Sequence, residues 1–440
     1  MIFRIFVRVM EHKTKLVERQ YLLPFILITT LFALWGFAND ITNPMVAGFQ
    51  TIMELSAAKA SLIQFAFYGG YATMAVPAAL FIRRFSYKSG ILLGLALYAV
   101  GALLFIPAAA RQSFLFFCLS LYILTFGLAF LETTANPFIL SLGSRQNATR
   151  RLNLAQSFNP MGSLAGMAVA SWVVLPNLLS DKHRDAAGQL VFNTLPEAVK
   201  AQERVHDLAV IRDAYVALGI SVLIVLLVIA FTRMPRMAGS GIRTSGTIGR
   251  LWRNKAYREG VLAQVFYVGA QIMVWTFIIQ YADHLGINKA TAQKYNIMAM
   301  VLFLCFRFLA TFLMKYVNSR RLLAIFGGLA ALCTVGAIVF VGPLGLGFLV
   351  AISAFMSLMF PTIYGIALED VAPEDSQLGA AFLVMAIVGG SILPPLQGAI
   401  IDLGTVCGHP AVNVSYCLPL VCFLAVAVFG LRRLREQQQR

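Results

Sequence analysis

Residues 121–143 read LYILTFGLAFLETTANPFILSLG, an apolar run long enough to cross a bilayer that nevertheless carries a carboxyl group, Glu132. About 20 apolar residues span the hydrocarbon core. A charge placed there costs roughly 2.5–3.5 kcal/mol on insertion scales, so such a residue is usually kept for function. Ion or proton coupling is therefore the leading expectation for Glu132. The alternative is a packed, hydrogen-bonded and permanently neutral glutamic acid.

Working outward from this stretch, the rest of the chain has the same solvent. Of the 440 residues 59% are apolar and 12% charged, and the mean hydropathy is +0.78. A soluble domain carries about twice that charge share. The reading is an all-α membrane protein with twelve spans, at about 21–48, 58–82, 90–110, 113–142, 153–178, 212–232, 257–282, 292–316, 321–341, 344–367, 377–401 and 411–431.

A net charge of +16 would suggest nucleic acid as partner in a soluble protein, but the basic residues are sorted by side. With the N-terminus inside, the inner segments hold 25 of the 35 lysines and arginines, and Arg307 alone falls within a span. The positive-inside rule then predicts two cytoplasmic termini, and no nucleic-acid role is expected. The segment 181–213 has mixed charge and suits a translocated outer loop. The acidic loop with Glu369, Asp370, Glu374 and Asp375 falls on the inner side, where acids weigh little in orientation. No cleavable signal peptide is expected, because the first apolar run begins at Tyr21 and continues as a full span. The stretch MIFRIFVRVMEHKTK reads as a surface-lying amphipathic segment or as a dispensable start ahead of Met10. The six cysteines form no disulfide framework or metal-ligand spacing.

Six spans precede the basic stretch Arg233–Arg258, with its Pro235, Gly239, Gly241 and Gly246, and six follow it. That composition shift divides the chain into a cytoplasmic segment 1–20, a first half 21–232, a cytoplasmic basic linker 233–256, a second half 257–431 and a cytoplasmic tail 432–440. The halves echo each other. IRRFSYKSGILLG (82–94) follows the second span and MKYVNSRRLLAIFG (314–327) the eighth, with Arg83 and Lys88 in register with Lys315 and Arg320. Duplicated six-helix halves resemble the major facilitator architecture, in which substrate sits near the midplane. In that frame Arg83, Arg84, Lys88, Lys315 and Arg320 are candidates to control rocking of the halves.

Helical spacing shows which polar side chains share a face. On the first span Asn39 and Asn43 are four apart, with Asp40 between them and Pro44 after. On the fourth, Glu132 and Asn136 are four apart and Pro137 follows. The fifth carries Gln156 and Asn159, then Pro160 and Gly162. The seventh has Gln264, Tyr267, Gln271 and Trp275 in one stripe. Amides and carboxylates match sugar hydroxyls, which both donate and accept, and aromatic rings cover an apolar sugar face. Interhelical glue is the alternative for any one amide, worth about 0.6 kcal/mol. Gly69, Gly70, Gly389 and Gly390 read as helix-packing contacts.

Six stretches, LWGFAND (34–40), LIQFAFYGGY (62–71), FLETTANPF (130–138), RLNLAQSFN (151–159), LAQVFYVGAQ (262–271) and SAFMSLMFPTIY (353–364), together resemble the bacterial fucose permease family, proton-coupled sugar symporters of the major facilitator superfamily. FLETTANPF and RLNLAQSFN carry the resemblance most specifically. It implies that Glu132 handles proton and sugar and that Gln156 and Asn159 face the cavity. It adds Gln64 and Tyr364 to the expected sugar-contacting group of Asn39, Asn43, Asn136, Gln156, Asn159, Tyr267, Gln271 and Trp275. One departure stands out: the family's second protonatable aspartate falls on Asn43, while the nearby carboxyl is Asp40. Three residues along a helix return to nearly the same face, so Asp40 either takes over that role or is the polar end of the helix.

The expected mechanism is secondary active import of L-fucose or a related hexose with protons, by alternating access, in a monomer of the bacterial inner membrane. Glu132 takes a proton from the outer side and is neutral when the loaded carrier turns. Arg307 pairs with an acid or a helix-end carbonyl in one state, or has a static role. The coupling ion is H+, with Na+ as the alternative, and no cofactor or metal is expected. A multidrug or other small-solute/proton antiporter of the same fold is the runner-up. An enzyme is not expected, since no histidine among His12, His183, His206, His284 and His409 lies deep in a span or pairs at metal spacing.

Overall fold

The computed structural model describes residues 16–55, 62–183, 191–235, 246–287, 289–406 and 408–439, without the side chains at 43–47, 50, 64, 65, 68, 283 and 289–291. The side chains of Asn43 and Gln64, the stretch MIFRIFVRVMEHKTK and the linker glycines Gly239 and Gly241 lie outside the described residues. With no water in the hydrocarbon layer, each span must satisfy its own backbone polar groups, and the helix is the local solution. Twelve long helical segments result: α1 (Leu22–Ile52), α2 (Leu62–Arg84), α3 (Tyr87–Ala110), α4 (Phe114–Ser141), α5 (Arg145–Asn177), α6 (Glu197–Phe231), α7 (Lys255–His284), α8 (Lys289–Leu313), α9 (Ser319–Val339), α10 (Pro343–Glu369), α11 (Ser376–Ile401) and α12 (Ala411–Gln439). All but α2 are apolar enough along their described length to cross a membrane. α2 has 23 residues, about 35 Å of helix, and packs along α4 in the place of the second predicted span.

The segment read as an outer loop at 181–213 is in fact helical from Glu197 onward. Its charges have partners that replace water. Lys200 and Arg204 pair with Glu54 beyond the end of α1, each at 3.0 Å, and buried Asp207 accepts from the backbone N–H groups of Leu179 and Ser180. Helix also continues through the predicted tail, as far as Gln439. A short helix, Thr247–Arg253, occupies part of the linker.

α1–α6 and α7–α12 form two six-helix halves, each with its own apolar core. The first core does not stop at the half boundary, because Tyr364 and Ala367 of α10 and Leu378, Leu383 and Val384 of α11 belong to it. The halves are thus packed together at the end of the bundle that holds both described chain ends. Within the first half α1 and α5 cross closely at glycines. A Cβ on Gly36 would lie 2.0 Å from Asn159 O, and one on Gly162 would lie 1.8 Å from Ala33 O. This contact sets Asn39 and Asp40 beside Asn159. Of the four glycines read as packing contacts, three leave no room for a Cβ: Gly70 against Thr125, Gly389 against the Val265 carbonyl and Gly390 against Ile272.

Candidate functional site

A cavity of about 160 Å³ lies between the halves. α1 lines it with Phe32, Trp35, Asn39 and Asp40, α2 with Tyr71, α4 with Glu132, and α5 with Gln156, Asn159, Pro160 and Ser163. The second half supplies Tyr267, Val268, Gln271, Ile272 and Trp275 from α7, Met300, Phe303 and Arg307 from α8, Phe360 from α10 and Ile387 from α11. Amides and the carboxyls come mostly from the first half, rings and apolar groups mostly from the second.

Glu132 is 9% exposed. No acid, base or amide among the described residues is hydrogen-bonded to it. One turn away, Asn136 Oδ1 accepts from Gln156 Nε2 at 2.8 Å. Asn159 Nδ2 donates to Phe32 O at 3.3 Å. Among the described residues, buried polar atoms on the cavity wall lack protein partners, notably Asn39 Oδ1 and the Tyr267 hydroxyl. A buried polar atom left unpaired costs about 1–3 kcal/mol, which a hydroxylated ligand would recover. Rings flank these atoms: Trp35 stacks on Phe32 with centroids 5.0 Å apart and donates to the Tyr71 hydroxyl, while Trp275 meets Phe303 edge-on at 5.1 Å and donates to Ser353 Oγ.

The geometry brings together Glu132, Asp40, Asn39, Gln156, Asn159, Tyr267, Gln271 and Trp275. It sets two expected sugar contacts apart. Asn136 and Tyr364 are fully buried behind the lining and do not face the cavity, because Gln156 stands between Asn136 and the open space. Gln264 is likewise fully buried, with neither side-chain polar atom bonded to a described residue. Trp35 and Tyr71 were missed, although Phe32, Trp35 and Asn39 follow the three- and four-residue spacing of a single helical face.

The cavity meets a second space of about 610 Å³ at Asp40. Gly48, Thr51, Ser171, Ser180 and Asp181 line it from the first half, and Ile279, Gln293, Asn296 and Ile297 from the second. This vestibule leads away from the chain ends. At the opposite end the halves are tied. Asn153 Nδ2 donates to Thr362 Oγ1 at 3.1 Å, Arg150 Nε to Thr311 O at 3.2 Å, and Arg307 Nη1 to Gln156 O at 3.0 Å. Nearest the chain ends, Asp375 accepts from Thr247 Oγ1 and, through both oxygens, from Arg250, and Arg83 donates to Thr247. The hydrogen-bonded Arg250 guanidinium, helped by Thr247 and by the charge of Arg83, holds the Asp375 carboxyl below the usual carboxylate range against the opposing effect of burial.

Among the described residues, only Arg83 of the five basic gating candidates reaches a partner across the halves. Arg84 lies over the Phe85 ring and Lys315 over Tyr316. Lys88 donates to Ala230 O and Thr232 O at the end of α6, and Arg320 pairs with Glu369. Each of these four finds its partner, a helix-end carbonyl, a ring or the Glu369 carboxylate, within its own half.

Two six-helix halves around a polar cavity, shut at one end and reached from the other, define a multi-pass membrane transporter. The chain belongs to the Major Facilitator Superfamily, whose profile matches residues 26–395. It is 60% identical over 422 residues to the L-fucose-proton symporter of Haemophilus influenzae, covering 95% of this chain and 98% of that one. It is 34% identical over 430 residues to the L-fucose-proton symporter of Escherichia coli, covering 96% and 94%. The crystal structure of the superfamily transporter FucP in the outward conformation superposes with a TM-score of 0.86 at 33% identity, over 94% of this chain and 99% of that one.

Proposed function

We propose that this chain imports L-fucose with protons by alternating access across the bacterial cytoplasmic membrane, both termini lying in the cytoplasm. The observation that carries the reading is Glu132, a carboxyl with no hydrogen-bond partner among the described residues, on the wall of a cavity rich in amides and rings. The inside-rich distribution of lysine and arginine assigns the tied end to the cytoplasm, so the vestibule at Asp40 faces outward.

From that side a proton reaches Glu132 past Asp40, which stands where vestibule and cavity meet. Asp40 takes over the relay duty that Asn43 lacks. Sugar hydroxyls pair with Asn39, Gln156, Asn159 and Gln271, and the rings of Trp35, Tyr267 and Trp275 cover the apolar C–H face. A neutral Glu132 lets the halves close over the loaded site without a bare charge in a low-dielectric interior. Protonation and sugar binding favour the same state, which is the differential affinity that coupling requires.

The test is uptake of labelled L-fucose into proteoliposomes with an imposed pH gradient, repeated with an imposed sodium gradient. Each charge moved across 100 mV supplies about 2.3 kcal/mol, which corresponds to roughly fiftyfold accumulation. Adding sugar to unenergised vesicles should make the outer solution more alkaline. Glu132→Gln should reduce gradient-driven accumulation to a ratio of about one while counterflow exchange persists. Uptake driven by sodium alone, or undiminished accumulation by Glu132→Gln, would sink the assignment.

A further inference from the structure

Arg307, in the last third of α8, is 3% exposed and lines the cavity. Its guanidinium lies 4.6 Å over the Phe303 ring, and no ion pair joins it to an acid among the described residues. Its partners are instead two main-chain carbonyls: Nε donates to Ser357 O of α10, and Nη1 donates to Gln156 O of α5.

These two carbonyls share a history. In an α-helix the carbonyl of residue i accepts from the N–H of residue i+4. Four residues beyond Gln156 stands Pro160, and four beyond Ser357 stands Pro361. Proline has no N–H to offer. Both helices are interrupted at these places: α5 runs as Ala148–Gln156 and resumes at Phe158, and α10 ends its first part at Met356 and resumes at Met359. Each carbonyl is thus left without its helical donor by its own sequence. One guanidinium satisfies both, and they belong to opposite halves.

We propose that Arg307 is a latch between the halves, holding the carrier in its vestibule-open state through the carbonyl orphaned by Pro160. This rests on the alternating-access reading above. The ties Asn153–Thr362 and Arg150–Thr311 lie on the chain-end side of Gln156, so opening that end draws α5 away from α8 and breaks the bond from Arg307 to Gln156 O. The bond to Ser357 O lies within one half and survives. Gln156 also links the latch to the acid, since its side-chain amide donates to Asn136, one turn from Glu132. A ligand or proton that shifts the Gln156 side chain bears directly on the residue the latch holds. Arg307 acts as a positioning residue here, through the main chain of Gln156.

Spin labels at Ser171→Cys and Gln293→Cys, exposed positions on opposite walls of the vestibule, read the state of the full-length carrier in lipid nanodiscs once the native cysteines are replaced. Arg307→Lys replaces a planar fork that reaches the two carbonyls from separate nitrogens with a single nitrogen on a flexible stem. It should move the population from the long to the short distance by about tenfold, and the outside KM for L-fucose should rise, by at most that factor, as the competent state is depleted. Pro160→Ala leaves Arg307 in place but returns an N–H that competes for Gln156 O, and should shift the distances in the same direction. The double variant should move no further than the larger single shift. A Pro160→Ala distribution identical to wild type, or shifts that add fully, would overturn the latch. Uptake by unmutated carrier, run in parallel, tests the transport reading separately, because the distance populations do not depend on which sugar is carried.

Discussion

At Glu132 the side chain and its surroundings are read from different sources. The acid was legible because its setting is apolar in sequence, and Gln156 and Asn159 were legible as one helical face. The burial of Asn136 and Tyr364 was not, since periodicity reports the direction in which a side chain points and says nothing of what stands in front of it. Trp35 lay in plain sequence as well, one turn before Asn39, but aromatic residues are common in spans and its hydrogen bond to Tyr71 is a contact between helices. An aromatic platform contributes about 0.5–1.5 kcal/mol beyond burial. Trp35→Ala should therefore raise the KM for uptake by roughly three- to tenfold with the saturating rate largely kept, and Trp35→Phe should recover most of the loss. Unchanged initial-rate kinetics for Trp35→Ala would remove that ring from the sugar site.

Among the helices, hydropathy located the spans because each must be apolar for about 20 residues, whatever its neighbours. It could not find the outer part of α6, where Lys200, Arg204 and Asp207 look like loop residues until Glu54 and the turn at Leu179–Ser180 supply partners distant in sequence. The breaks in α5 and α10 were marked by Pro160 and Pro361, yet which donor takes the released carbonyls is a tertiary fact. The α1–α5 crossing depends on the absence of a side chain at Gly162. Gly162→Ala would drive a Cβ into the Ala33 carbonyl, and forced overpacking of this kind costs about 1–3 kcal/mol or more. A clear drop in the thermal unfolding temperature of purified protein is expected. Gly328→Ala, inside helix α9 where an added Cβ meets nothing within 4 Å, should keep it or raise it slightly.

In the assembled bundle, the twofold plan was visible from span count and the basic linker, while the identity of the tie at the chain ends was not. Asp375 lies in a loop that reads as ordinary surface acid. Its partners, Thr247 and Arg250, come from a linker helix more than a hundred residues earlier, and Arg83 from another half. Because these partners hold the Asp375 carboxyl below the usual range, its contribution to the closed end is fully present above about pH 4. It is lost only as the pH falls through that lowered value. Between pH 5 and 8 the tie is constant, so pH dependence of uptake in that window originates elsewhere. Asp375→Asn should weaken uptake at every pH without moving the midpoint of the pH profile. A shifted midpoint in that variant would contradict this account.

α6 contains 35 residues, about 52 Å of helix against a hydrocarbon layer of about 30 Å. Its first turns therefore stand proud of the lipid, braced by Lys200 and Arg204 on Glu54. A rod fixed so firmly to one lobe swings as that lobe swings, and its tip travels farther than any atom near the pivot. The molecule carries, on its own surface, a pointer that converts a small tilt at the membrane's middle into a larger sweep in the water above it.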